Sequence, residues 1–205
     1  MIAEAKQVLH QQFKLKDLGE LKYFLGIEIM RSKAGVILNQ TKYVLELISD
    51  TGLSGAKPIS KPLESTLRLT LVEYDRVTGS NGDPIVQDIG CYQKLVGKLI
   101  YATITRPDIS HIVLTLSQFM QSPKKSHWEA AIRVVRYLKG TVVRVLRSEP
   151  ITKLTCWCYS DWASYPNTRR SITGYVVKFG DSLVSWKSKK LHTVSRSSAL
   201  QLLQR

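Results

Sequence analysis

The sequence predicts a mixed α+β protein with two lobes, and three observations carry that expectation. At 205 residues, 43% hydrophobic and 22% charged with 12 Gly and 7 Pro, the chain has the composition of a globular protein and not of a disordered, collagen-like or coiled-coil one. Its apolar period is two in residues 23–38, helical in residues 89–139, and two again beyond Pro150. Between the first two zones, Pro58 and Pro62 remove backbone donors, and residues 78–88 carry two Gly, Asn, Pro and two Asp, so residues 53–88 read as a connector.

Each element follows from its side chains. Residues up to about Lys16 read as a helix end, with Val8, Leu9 and Phe13 on one edge, stopped by Asp17-Leu18-Gly19. Tyr23, Leu25, Ile27 and Ile29 alternate as one strand, Ser32-Lys33-Ala34-Gly35 turns, and Val36-Ile37-Leu38 returns, which predicts a β-hairpin. Val44, Leu47 and Ile48 give a helix ending near Gly52. Three helices follow the connector. Tyr92, Val96, Leu99 and Thr103 mark the first, and Ile109, Ile112, Val113, Leu116 and Met120 the second, entered through Pro107-Asp108. The third opens on Ser126-His127-Trp128-Glu129, an S-x-x-E capping box, buries Trp128, Ala131, Ile132, Val135 and Leu138, and ends at Gly140. Residues 154–162 then read as a strand, residues 172–179 and 183–189 as a hairpin turned at Gly180-Asp181-Ser182, and residues 197–203 as the start of a helix with a Ser N-cap. A three-stranded antiparallel sheet with one helical turn covers at most one of its faces, so residues 151–205 are expected to form an incomplete domain.

Charge narrows the function. Thirty Lys and Arg against 16 Asp and Glu give +14 at pH 7, an imbalance that points to a polyanionic partner, nucleic acid first. The basic excess is concentrated: residues 151–205 hold 9 Lys and Arg against 2 carboxylates, Asp161 and Asp181, and no Glu. No apolar run approaches the ~18 residues that cross a bilayer, and the first residues lack the apolar core of a secretory signal, so an intracellular location, nuclear or cytoplasmic, is expected. Three cysteines, with Cys156 and Cys158 two residues apart and no second pair, and four scattered histidines (10, 111, 127, 192) suggest neither a disulfide framework nor a zinc site.

Six runs occur in order: Phe13-Lys14-Leu15-Lys16-Asp17-Leu18-Gly19; Tyr23-Phe24-Leu25-Gly26-Ile27-Glu28; Leu95-Val96-Gly97-Lys98-Leu99-Ile100-Tyr101 with Thr105-Arg106-Pro107-Asp108-Ile109-Ser110; Arg136-Tyr137-Leu138-Lys139-Gly140-Thr141; Arg169-Arg170-Ser171; and Ser185-Trp186-Lys187-Ser188-Lys189-Lys190. Together they resemble the reverse transcriptase and ribonuclease H region of a copia-type LTR retrotransposon polyprotein, over nearly the whole chain. The resemblance implies that residues 1–52 are the end of the polymerase palm with its primer-gripping hairpin, residues 53–150 thumb and connection, and residues 151–205 a truncated ribonuclease H-like domain. It also implies Mg²⁺ as the family's cofactor and an RNA–DNA hybrid as its ligand.

Departures from the family limit the chemistry. Its polymerases hold two magnesium ions with an upstream aspartate and an Asp-Asp pair, and this sequence has no Asp-Asp dipeptide. Ribonuclease H needs convergent carboxylates around two ions about 4 Å apart. The family's Ser-Asp-x-Asp-Trp-Ala run is here Ser160-Asp161-Trp162-Ala163, and its Ser-Ser-Ala-Glu-Ala-Glu is here Ser197-Ser198-Ala199-Leu200-Gln201. Asp161 is then the one remnant catalytic and metal ligand, insufficient alone, and no Mg²⁺ is expected to bind tightly. The expected function is a nucleic-acid-binding, catalytically inactive fragment. The alternatives are a polymerase and ribonuclease H component completed by another chain, and a non-enzymatic interaction protein. Lys187, Lys189, Lys190, Arg169 and Arg170 are the candidate contacts to a hybrid, weak and independent of sequence, and the incomplete sheet is a candidate for self-association. Arg133, Arg136 and Lys139 read as a solvated helix face, as do Lys94 and Lys98. Trp186 and Tyr175 read as sheet core, and Cys156 and Cys158 as small apolar side chains on one strand face.

Overall fold

A computed structural model describes residues 2–32, 35–64, 67–80, 82–142, 153–160, 172–180, 182–190 and 201–203. The elements are α1 (Ile2–Gln12), β1 (Tyr23–Phe24), β2 (Ile27–Ser32), β3 (Gly35–Asn39), α2 (Thr41–Asp50), α3 (Val72–Thr78), α4 (Ile89–Ala102), a 3₁₀ turn at Pro107–Ile109, α5 (Ser110–Ser117), α6 (Lys125–Gly140), β4 (Leu154–Ser160), β5 (Ile172–Phe179), β6 (Ser182–Lys190) and β7 (Gln201–Leu203). The mixed α+β expectation holds. No helix among the described residues is long and apolar enough to cross a membrane.

One core is formed by α2, α4, α5 and α6. Tyr92, Val96 and Leu99 from α4, Ile112, Val113 and Leu116 from α5, and Ala131, Val134, Val135 and Leu138 from α6 meet Val44, Leu47 and Ile48 of α2. Helical spacing places these side chains on single stripes, and burying each large one stabilises by roughly 1.5–3 kcal/mol. The buried Tyr92 hydroxyl donates to Leu116 O at 2.9 Å, so the ring enters the core without an unpaired polar atom.

The C-terminal strands form one antiparallel sheet in the order β6-β5-β4-β7. Register pairs Trp157 with Val176 and Val176 with Trp186, which puts both tryptophans on one face. That face packs toward α5. The Trp186 indole donates to Thr103 O at 3.1 Å, and Lys190 Nζ donates to Gln118 Oε1 at 2.8 Å.

The structure corrects five expectations. The first hairpin is a three-stranded meander, because Leu25 (φ +47°) and Gly26 (φ +77°) form a two-residue turn between Phe24 and Ile27, the left-handed pair that suits a tight hairpin. The connector contains α3, which buries no side chain and so carries no apolar period to read. The start of α6 is Lys124, not Ser126: Lys124 N donates to His127 Nδ1 at 3.0 Å, closing the box two residues earlier. Its stripe is rotated accordingly, with His127, Ala130 and Val134 buried while Trp128 and Ile132 are half-buried. Finally, the sheet has four strands instead of three, since Gln201–Leu203, expected in a helix, pairs with β4 between Cys156 and Cys158.

Candidate nucleic-acid interface

On β6 the side chains alternate between the helical lobe and the outside. Trp186 and Lys190 point toward the helices, and Lys187 and Lys189 stand exposed on the other face. Their strand spacing is about 6.7 Å, roughly two axial phosphate steps of one nucleic-acid strand. Tyr175 lies opposite Lys187 and Thr173 opposite Lys189 on β5, so a polar and aromatic row accompanies the two cations. The Lys190 ammonium is engaged by Gln118. Arg169, Arg170 and Asp161 lie outside the described residues.

Of the cations expected on solvated faces, Lys94 is exposed as expected, and the other four are fasteners. Lys139 Nζ donates to Leu53 O at 3.3 Å, to Ala56 O at 2.9 Å, and to Ser54 O. Arg136 Nε donates to Lys57 O at 2.9 Å, and Arg133 pairs with Glu64 at 2.8 Å. Together they tie the proline-containing connector to α6. Lys98 pairs with Asp50, joining α4 to α2. Trp186 is half-buried against the helices and so belongs to the sheet core, as expected, while Tyr175 is 37% exposed.

Two buried ionic clusters escaped sequence reading. Arg106, only 3% exposed, grips Asp108 through two bonds of 2.9 and 2.7 Å and also donates to Thr141 O at 2.9 Å. The Tyr137 hydroxyl donates to the same carboxylate at 2.7 Å. Burial alone would raise the Asp108 pKa, but the Arg106 and Tyr137 bonds outweigh it and hold the carboxyl below its ordinary range. Lys124, 3% exposed, pairs with Asp75, donates to Thr70 Oγ1 at 2.9 Å, and lies 3.5 Å from Asp83. Next to it His127 stacks on Phe119 at 3.8 Å between centroids and shares a 3.1 Å bond with Thr70 O. Burial, reinforced by the Lys124 charge, lowers its pKa to about 4, so the ring is neutral. A signal for the first cluster was present, since Thr105-Arg106-Pro107-Asp108 and Arg136-Tyr137 through Thr141 are two of the recognisable runs. Nothing in their spacing brings them together.

Every aspartate among the described residues is engaged. Asp17 accepts from Lys6, Asp50 pairs with Lys98, Asp75 and Asp83 with Lys124, Asp108 with Arg106, and Asp88 accepts from Cys91 N. Five of these six carboxylates are paired with ammonium or guanidinium groups, an arrangement that does not fit a magnesium pair, which needs its charged oxygens directed at the ions. Among the described residues no three His, Cys, Asp or Glu gather as a metal site.

Residues 1–65 match the family of reverse transcriptases, RNA-dependent DNA polymerases. Over 192 residues the chain is 38% identical to an uncharacterized mitochondrial protein of Arabidopsis thaliana, covering 93% of this chain and 76% of that one. It is 40% identical over 192 residues to the retrovirus-related Pol polyprotein from transposon RE1 of Arabidopsis thaliana, covering 93% of this chain and 12% of the polyprotein. With the Pol polyprotein from transposon TNT 1-94 of Nicotiana tabacum it shares 35% identity over 204 residues, 97% of this chain and 15% of that one. The chain belongs to the copia-type retrotransposon Pol family. It spans three quarters of the mitochondrial relative's length and a small part of the polyproteins'. No solved structure matches it. The resemblance read from the six runs is thereby borne out. In this copia-type chain the second run meets the third where the Tyr101 hydroxyl donates to Leu25 O, beneath the Gly26 turn. The third meets the fourth at the Arg106 clasp.

Proposed function

We propose that this copia-type chain grips the backbone of an RNA–DNA hybrid, or another nucleic acid, without sequence preference and without synthesis or cleavage chemistry of its own. The observation that carries the reading is the exposed pair Lys187 and Lys189 on one face of β6, in the segment where basic residues most exceed carboxylates. Engagement of the described aspartates and the lack of an Asp-Asp dipeptide argue against a resident Mg²⁺. In this reading residues 1–52 correspond to the end of a palm, 53–150 to thumb and connection, and 151–205 to a ribonuclease H-like unit.

Binding to a labelled hybrid should weaken steeply as salt rises. Lys187→Gln with Lys189→Gln should lower the slope of log K against log salt by roughly one for each phosphate that is no longer neutralised, while Lys190→Gln leaves it unchanged. An unchanged slope in the double variant overturns the assignment. Hybrid cleavage with Mg²⁺ or Mn²⁺ should not exceed a buffer control, and activity that vanishes in Asp161→Asn overturns the non-catalytic part.

A second reading, completion by another chain, has its own observation. Val8, Phe13, Leu18 and Phe24 are 55%, 59%, 83% and 57% exposed in the stretch matched to reverse transcriptases, a concentration of apolar surface typical of contact sites. Co-purification with a copia-type polymerase palm, abolished by Phe13→Glu, would favour it.

A further inference from the structure

We propose that Cys156 and Cys158 form a two-thiol site for a soft monovalent cation of the Cu(I) class, on the face of the C-terminal sheet turned away from the helices. Two residues apart on β4, both side chains leave the same face, and their sulfurs lie 4.0 Å apart. Both are half-buried free thiols. Their face is open to solvent, since Leu154, Tyr175 and Phe179 beside them are 56%, 37% and 41% exposed.

Strand geometry decides what this pair can do. Two strand residues advance the chain by about 6.6 Å, so the parallel Cβ atoms stand outside the roughly 3.5–4.5 Å that a disulfide requires. The thiols therefore resist closing on each other, whereas a single ion can bridge them. With sulfur–metal bonds of about 2.3 Å, a 4.0 Å separation sets an S–metal–S angle of about 120°, and a linear bridge needs the sulfurs to part by only about 0.6 Å. Rotation about the two Cα–Cβ bonds supplies that distance.

The ligand set selects the ion. Zinc in a structural site takes four ligands, and among the described residues no third His, Cys, Asp or Glu joins the pair. Soft thiolates favour Cu(I), for which two sulfurs suffice. On binding, each thiol releases its proton to solvent as its sulfur–metal bond forms. Two thiols and one monovalent cation thus give a bis-thiolate complex of charge −1 and two protons, with no electron transferred. The +14 chain favours that anionic product. Lys187, registered on the same face, lies two strands from Cys158 across Tyr175, at about 9.6 Å.

The test is an anaerobic titration of the full chain with Cu(I), supplied as its acetonitrile complex, against a chromophoric Cu(I) chelator. One Cu(I) per chain should be retained, with affinity at least tenfold lower in Cys156→Ser and in Cys158→Ser, and unchanged in Cys91→Ser. Equal retention by wild type and the Cys156→Ser/Cys158→Ser double variant overturns the proposal, as does loss in Cys91→Ser. A wild-type measurement guards against variants that misfold. Phenylarsine oxide, which joins two neighbouring thiols with loss of water, should add once per chain and protect Cys156 and Cys158 from alkylation while Cys91 is modified. No such adduct, or an adduct involving Cys91, overturns the site.

Discussion

The helical centre and the C-terminal sheet solve the same burial problem with different success. In the helices Leu99, Leu116 and Leu138 have no exposed surface, while on the sheet Leu154 and Phe179 remain 56% and 41% exposed. A helix stripe is one-sided and is covered by the neighbouring helices that follow in sequence. A sheet has two faces, and the helical lobe covers only the one bearing Trp157 and Trp186. Core closure depends on how many apolar faces an element presents, and not on its apolar content alone.

The sharpest way to break the contrast is through the helical region's buried charges. Arg106→Met should cost about 3–5 kcal/mol, because it leaves Asp108 buried without its cation. Urea denaturation followed by circular dichroism measures this, and a cost under about 1 kcal/mol would show that Asp108 reaches water. Next in size, Leu138→Ala should cost about 2–5 kcal/mol, whereas Leu154→Ala on the sheet should stay within about 0.5 kcal/mol. Hydrogen exchange should separate the same regions, with slow amides in residues 92–139 and faster ones on β4 to β6. Uniform protection would erase the comparison.

Acid offers a third measurement. His127 has a folded pKa of about 4 against an ordinary 6.5, so between those values the unfolded chain binds more protons than the folded one. Its contribution to stability is complete above about pH 6.5 and is lost as pH falls toward 4, by an amount of up to about 3 kcal/mol. His127→Gln should flatten the stability profile in that window, and an unchanged profile would place its origin elsewhere. The smallest effect is a gain. A Cβ at Gly97, in the middle of α4, meets nothing within 4 Å, so Gly97→Ala should stabilise by about 0.5–1 kcal/mol. Thermal melting would detect it.

Where local periodicity and packing agree, the sequence was legible. The spans of β5 and β6 follow their apolar spacing within a residue, and α4 and α5 within three, α5 stopping at Ser117 short of Met120. Misreadings occur where distant contacts override local preference. Leu25 takes a left-handed conformation that its side chain disfavours, and Tyr101, 76 residues away, donates to its carbonyl. Lys124 is a poor N-cap by type, yet Asp75 and Asp83 hold it there. For the candidate interface, alternation alone separates Lys187 and Lys189 from Lys190. That Lys190 meets Gln118, and that Arg136 and Lys139 serve the connector, depends on tertiary pairing no spacing rule encodes.

Gly140 carries a consequence for how such a chain changes over generations. Any side chain there would press on Pro58 Cβ at 3.2 Å and Ile59 O at 3.4 Å, at the point where α6 ends against the connector. Gly55, Gly82 and Gly97 have open space around the missing Cβ. If descendants of this chain retain the helical fold while their chemistry decays, substitutions should accumulate early at those three glycines and late at Gly140. The residue at position 140 then serves as a dated marker: its replacement in a descendant signals that the connector at Pro58 and Ile59 has already eased away from the end of α6 by a few tenths of an ångström.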